Sequence, residues 1–197
     1  MKDLGPAQKI IGMQILRHRK QGILFLNQQG YIEKVITKFG MSKAKTVLTP
    51  LAQHFKLHKD HSPQTETKVY DMKDIPYSSV VGSLMYTMVC TRPDLAHSVS
   101  VVSRFMANPG KEHWQAVKWI SRYLRGSTGK GLKYGGAVDD SDMIIGYCDS
   151  DYAASIDTQK SQSGIVFTVF GTAVSWKATL QPVVALSTTE AEYIAIT

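Results

Sequence analysis

Met143-Ile144-Ile145-Gly146-Tyr147-Cys148-Asp149 is a short apolar run that ends on a carboxylate. It reads as a buried-type β-strand that delivers Asp149 at its end. Gly164-Ile165-Val166-Phe167-Thr168-Val169 and Ala173-Val174-Ser175-Trp176 read as two more strands, joined through Phe170-Gly171-Thr172. Ser187-Thr188-Thr189-Glu190 then places serine at a cap position and glutamate three residues on, a capping box that opens a last helix. The expectation for residues 138–197 is a three-stranded sheet with one helix, inside an α+β protein.

Toward the N-terminus, Lys133-Tyr134-Gly135-Gly136 marks a boundary at which the charge changes sign. Residues 1–60 carry 11 Lys/Arg against 3 Asp/Glu, residues 61–137 carry 10 against 5, and residues 138–197 carry 2 against 8. Basic surface attracts a polyanion through counterion release, and clustered carboxylates can hold divalent cations. Ordinary surface charge divided unevenly between domains accounts for the same counts, and charge alone leaves the two readings level. Three segments follow: 1–60, 61–137 and 138–197.

The middle segment reads as three helices. One runs over about 77–90, from Tyr77-Ser78-Ser79 to Thr91-Arg92-Pro93, where proline forbids continuation. The next starts at Pro93 and runs to about Ala107, before Asn108-Pro109-Gly110. In the third, Trp114, Val117, Ile120, Tyr123 and Leu124 form a buried stripe, with Lys118, Arg122 and Arg125 set off from it and Gly126 at the end. Such a basic side can lie along a nucleic-acid backbone, although a solvated charged face is the commoner explanation.

Residues 43–76 read as a linker punctuated by Pro50, Pro63 and Pro76. Its His54, His58 and His61 lack a fourth ligand at a useful spacing, so a solvated loop outweighs a zinc site. Ahead of it, Ile10-Ile11-Gly12-Met13-Gln14-Ile15 and Gly22-Ile23-Leu24-Phe25-Leu26 read as a hairpin whose turn, Arg17-His18-Arg19-Lys20-Gln21, is basic. Ile32, Val35, Ile36 and Phe39 then make the stripe of an amphipathic helix, with Lys34 and Lys38 on its other side and Gly40 at its stop. Lys9, Arg17, Arg19, Lys34 and Lys38, with the three cations of the later helix, are the candidate nucleic-acid contacts.

Of the 197 residues, 43% are hydrophobic and 20% charged, which excludes a disordered tail. No run of about 18 apolar residues occurs, so no transmembrane helix is expected. The N-terminus lacks a signal-peptide core, which points to an intracellular protein, cytoplasmic or nuclear. Cys90 and Cys148 each lie in an apolar stretch and read as small buried hydrophobes.

Several segments, in order, have a familiar pattern: Met1-Lys2-Asp3-Leu4-Gly5 with Ile11-Gly12-Met13, Phe39-Gly40-Met41 with Thr49-Pro50-Leu51, and Pro76-Tyr77-Ser78-Ser79. Gly82-Ser83-Leu84-Met85-Tyr86, Thr91-Arg92-Pro93-Asp94 and Arg122-Tyr123-Leu124-Arg125-Gly126 continue it. Gly146-Tyr147-Cys148-Asp149-Ser150-Asp151-Tyr152-Ala153, Ser175-Trp176 and Ser187-Thr188-Thr189-Glu190-Ala191-Glu192-Tyr193 complete it. Their shared order and spacing over almost the whole chain resembles the Pol polyprotein of copia-type LTR retrotransposons. The resemblance implies the end of a reverse transcriptase palm, a thumb or connection region, and the start of a ribonuclease H domain.

A complete family member copies RNA into DNA and degrades the RNA strand of the hybrid, both with paired divalent metals held by carboxylates. The polymerase carboxylates should precede Met1, which itself matches an internal position of the family motif. Ala137-Val138-Asp139-Asp140 lacks the aromatic residue of the polymerase hairpin and reads as an acidic loop. The resemblance assigns two of the four ribonuclease H carboxylates, Asp149 and Glu192, with Glu190 left as the capping residue. The other two should fall beyond Thr197, and Asp151 and Asp157 do not match them. The Ala154-Ser155 and Gln159-Lys160-Ser161-Gln162 stretches depart from the family pattern. The expectation is therefore a polyprotein fragment inactive alone, its Mg²⁺ belonging to the complete protein. The alternative is a non-catalytic module that binds RNA–DNA hybrid or single strands. The first strand, lacking neighbours on one side, should leave an open edge that invites self-association and a weakly stable acidic third.

Overall fold

The computed structural model describes residues 5–135 and 144–197. The acidic loop Ala137-Val138-Asp139-Asp140, Met143 and the first four residues lie outside them. The chain is α+β, with two separate antiparallel sheets and six α-helices among the described residues.

The first sheet draws strands from both flanks of the helices. β1 (Lys9–Ile10), β2 (Met13–His18), β3 (Ile23–Asn27) and β4 (Gly131–Tyr134) lie side by side in that order. The apolar run expected as a single strand over 10–15 is broken at Ile11 and Gly12, whose φ values are 45° and 72°. Ile10 pairs with Met13, so these two residues form a tight hairpin turn that needs positive φ at both positions. Glycine adopts that conformation freely and isoleucine does not, so β-branched Ile11 carries local strain. Arg17 and His18, expected in the basic turn, belong to β2, and the turn itself is a 3-10 segment, Arg19–Gln21. β4 had no sequence signal of its own; it is placed by pairing Leu132 with Leu26 of β3.

α1 (Gln29–Lys38) buries Ile32, Val35 and Ile36, as its stripe requires. The Gln29 amide donates to Asn27 Oδ1 at 3.1 Å, which satisfies one free donor of the first turn. The stretch read as a linker contains a helix, α2 (Glu66–Met72), and Leu57 within it is buried in the main core. α3 (Tyr77–Thr91) stops before Pro93. A 3-10 turn then leads into α4 (Ala96–Ser103). From Arg104 to Met106 the amides bond back three residues rather than four, which ends α4 before the expected Ala107. α5 (Lys111–Arg125) buries Val117, Ile120, Tyr123 and Leu124. Trp114 of the same stripe is only partly buried and packs at the edge of the core. The clustered core runs from Ile32 to Leu124 and takes nothing from residues 144–197.

The second sheet is a meander of β5 (Ile144–Asp151), β6 (Gln162–Val169) and β7 (Thr172–Leu180), followed by α6 (Thr188–Ile196). Its three strands and one helix are those expected, but their burial is not. Ile144 is 71% exposed, Tyr147 is 57% exposed, and Cys148, expected to be buried, is exposed as well. Apolar composition selects the strand, yet burial depends on what covers it. Among the described residues β5 pairs only with β6, and α6 buries only the alanines Ala191 and Ala195. The sheet is tied to the rest of the chain by polar contacts. Trp176 Nε1 donates to the Met88 carbonyl at 3.1 Å, and Thr172 Oγ1 donates to the Lys133 carbonyl at 2.6 Å. The Asp157 carboxylate receives the Lys59 amide at 2.9 and 3.1 Å. No helix among the described residues is long and apolar enough to cross a membrane.

Candidate functional site

α6 starts as its sequence dictates. Ser187 Oγ accepts the Glu190 amide at 3.1 Å, while Glu190 Oε2 reaches back to accept the Leu186 amide at 2.7 Å. The first bond satisfies a donor that the first helical turn leaves free, and the second ties the residue before the cap to the helix. Glu190 is thereby occupied at the cap. Two residues on, Glu192 points elsewhere: its Oε1 accepts the Ser150 amide of β5 at 3.3 Å. Asp149 Oδ1 accepts the same amide at 2.9 Å. One N–H thus gathers two carboxylates whose residues lie far apart in sequence, and both residues are exposed to solvent.

Two exposed carboxylates brought together are hard oxygen donors of the kind that bind Mg²⁺. They fit such an ion as a partial set, because among the described residues no group of three or more His, Cys, Asp or Glu is placed to hold a metal. Asp151 is engaged with His97, Oδ2 to Nε2 at 3.7 Å, and Asp157 with Lys59. The three linker histidines form no metal group either: the rings of His58 and His61 lie 3.8 Å apart as a ring contact.

The basic residues divide into two sets. Arg122 Nε donates to the Lys45 carbonyl at 2.6 Å, with its guanidinium 4.9 Å from the centre of the Trp119 ring. Arg125 donates from Nε to the Ser42 carbonyl at 2.8 Å and from Nη1 to the Ala44 carbonyl at 2.6 Å. These two arginines hold residues 42–45 against α5. Lys118 is half-buried nearby. Lys9, Arg17, Arg19, Lys34 and Lys38 are exposed, and none forms an ion pair with the described residues.

Two further groups acquire their partners only in the folded chain, although Thr91-Arg92-Pro93-Asp94 is among the segments that carry the family resemblance. Arg92 is buried and binds Asp94 through two hydrogen bonds. Gln181 is buried between β5, β6 and α6, immediately behind the carboxylate pair. Each is a single polar residue without periodic neighbours, so only the folded chain reveals its partners.

No family model matches this sequence, and no solved structure matches it. Over its whole length it is 60% identical to the retrovirus-related Pol polyprotein from transposon TNT 1-94 of Nicotiana tabacum, of which it covers 15%. The chain belongs to the Pol family of copia-type retrotransposons. It is also 37% identical over 172 residues to the Pol polyprotein from transposon RE1 of Arabidopsis thaliana, covering 86% of this chain and 11% of that polyprotein. An uncharacterized mitochondrial protein of Arabidopsis thaliana is 34% identical over 196 residues, which is 100% of this chain and 77% of that protein. The chain thus spans a small share of the two Pol polyproteins.

Proposed function

We propose that this chain is the stretch of a Pol polyprotein running from the end of the reverse transcriptase palm, through the thumb or connection region, into the ribonuclease H domain. In the complete protein, Asp149 and Glu192 would be two of the carboxylates that hold Mg²⁺ for hydrolysis of the RNA strand in an RNA–DNA hybrid. Their convergence on the Ser150 amide is the observation that supports this reading. Bound divalent cations would supply stabilisation of charge on the attacking and leaving oxygens. Two carboxylates are too few for that chemistry, so by itself the chain binds a cation weakly and does not turn over. It acts in the cytoplasm or nucleus, where such a hybrid would be made.

The test is hydrolysis of a labelled RNA–DNA hybrid by the purified chain in Mg²⁺. No cleavage above the level of Asp149→Asn is expected. Cleavage that Asp149→Asn abolishes would overturn the proposed inactivity and leave the metal assignment standing.

A second reading is favoured by the exposed cations of β2, the 3-10 turn and α1. In it the chain is a non-catalytic module that grips hybrid or single strands through Arg17, Arg19, Lys34 and Lys38. Among the described residues β5 has no strand on its other side, and with Ile144 and Tyr147 exposed it offers a second copy of the chain an edge for strand pairing. Size-exclusion chromatography should show a concentration-dependent oligomer; a stable monomer at every concentration rules that edge out.

A further inference from the structure

Gln181 follows β7 and is 2% exposed. Its backbone amide is fixed by the Ser161 carbonyl at 2.9 Å, so the side chain projects from an anchored position. Nε2 lies 2.8 Å from the Ala191 carbonyl of α6, 3.0 Å from Ser163 Oγ of β6 and 3.3 Å from Ser150 Oγ of β5. A carbonyl can only accept, so the Ala191 contact requires the NH₂ end of the amide on this side. Oε1 is left buried without a partner among the described residues. A buried acceptor left unmade is costly, and such groups call for an explanation.

The explanation lies in the neighbours of these partners. Ser150 adjoins Asp149, and Ala191 adjoins Glu192. One side-chain amide therefore connects the strand that carries one carboxylate to the helix that carries the other. The apolar contact of α6 with the sheet rests on Ala191 and Ala195, whose methyl groups are too small to resist sliding. Directional hydrogen bonds set the helix where packing cannot.

We infer that Gln181 is a positioning residue of the cation site: its amide fixes the separation of Asp149 and Glu192. This rests on reading those two carboxylates as cation ligands. Outer-shell partners of metal ligands typically change affinity by about 10- to 100-fold when removed.

The test uses the full chain and Mn²⁺, followed by electron paramagnetic resonance of the free ion. Four proteins are compared: the unaltered chain, Asp149→Asn, Gln181→Met, and Trp176→Phe. Gln181→Met keeps the volume without the donor. Trp176→Phe loosens the sheet elsewhere by losing its bond to Met88. Gln181→Met should weaken Mn²⁺ binding by about 10-fold or more, while Trp176→Phe leaves it unchanged. Gln181→Met binding as tightly as the unaltered chain, with Asp149→Asn not binding, overturns the positioning role and leaves the ligand assignment intact. If the unaltered chain binds no better than Asp149→Asn, the ligand assignment falls. The positioning role of Gln181 at a cation site falls with it, and amide hydrogen exchange without metal then separates that failure from loss of the contact itself: faster exchange across α6 in Gln181→Met but not in Trp176→Phe shows only that the amide holds α6 on the sheet, and unchanged exchange overturns that as well.

Discussion

Arg92 grips Asp94 two residues along the chain, Nε to Oδ1 at 2.9 Å and Nη2 to Oδ2 at 2.7 Å. The arginine is buried, and its remaining donors reach the Ser127 carbonyl at 2.9 Å and Ser127 Oγ at 2.8 Å. Tyr123 Oη donates to the same carboxylate at 2.6 Å. The pair thus ties the break between α3 and α4 to the end of α5, and each bond depends on a planar, five-donor head group.

Arg92→Ala leaves the buried Ser127 groups without their donor, while the exposed Asp94 carboxylate is hydrated instead. Loss of about 1–3 kcal/mol in urea denaturation is expected. Arg92→Lys recovers little of it, because an ammonium cannot make the two parallel bonds. Burial pushes the Asp94 carboxyl up, but the hydrogen bonds from Arg92 and Tyr123 outweigh it, and the net shift is downward. A lowered carboxyl pKa contributes stability above the ordinary aspartate range and loses it as pH falls through the folded value. Tyr123→Phe should therefore blunt the acid limb of the stability curve.

His113 supplies a second pH dependence, of the opposite protonation chemistry. Its Nδ1 accepts the Gly110 amide at 2.9 Å, which requires the proton on Nε2, 3.2 Å from the His58 carbonyl. The ring stacks on Phe105 with centres 3.9 Å apart. Burial is the main cause lowering its pKa from 6.5 to about 4, with the His58 carbonyl opposing. The unfolded chain then binds the proton more readily, so stability is full above about pH 6.5 and falls between there and about 4, by up to about 3 kcal/mol. Denaturation at pH 7 and pH 4.5 measures this. His113→Gln, less stable at pH 7, should lose most of the difference.

Gly110 is required by a close approach. A Cβ there would lie 1.8 Å from the His61 carbonyl oxygen and 2.8 Å from its carbon. Backbone on both sides cannot yield as a flexible side chain would. Gly110→Ala should cost about 1–3 kcal/mol or more by thermal unfolding, with the start of α5 displaced.

That glycine shows where sequence reading runs out. Asn108-Pro109-Gly110 announces a chain break, because proline and glycine act locally; the neighbour that forbids a methyl group comes from residue 61. The same division holds elsewhere. The stripes of α1 and α5, the three strands after residue 143 and the Ser187 cap are periodic or local, and all were legible. β4 depends on a partner strand more than a hundred residues away, and nothing in its four residues encodes that. Arg122 and Arg125 have the spacing of a basic face, while their acceptors are the carbonyls of residues 42–45. At the candidate site Asp149 and Glu192 could be picked out through family resemblance, whereas Gln181 could not. Its role depends on three acceptors that only folding assembles.

Residues 144–197 should be the less protected part of the chain. Their buried side chains are alanines and polar groups, and none joins the core cluster. Local opening is governed by the apolar contact that must be broken. Native-state hydrogen exchange should show β5 and α6 exchanging before α3 and α5. Equal protection across both parts would mean that the polar ties through Trp176, Thr172 and Asp157 couple them into a single cooperative unit.

The two sets of basic residues should separate in a nucleic-acid binding assay. Exposed cations that contact phosphates release counterions, and each contact contributes roughly 0.7–0.9 to the slope of log affinity against log salt. Lys34 and Lys38 lie one turn apart on the exposed side of α1, so the double change to glutamine should lower that slope by up to about 1.4–1.8. Arg122→Gln behaves differently. Its guanidinium is committed to the Lys45 carbonyl and the Trp119 ring, so its loss should reduce stability and leave the slope unchanged. The opposite pattern, with α5 controlling the slope and α1 silent, would move the polyanion from the α1 face to the α5 face. It would also require residues 42–45 to release their arginines on binding.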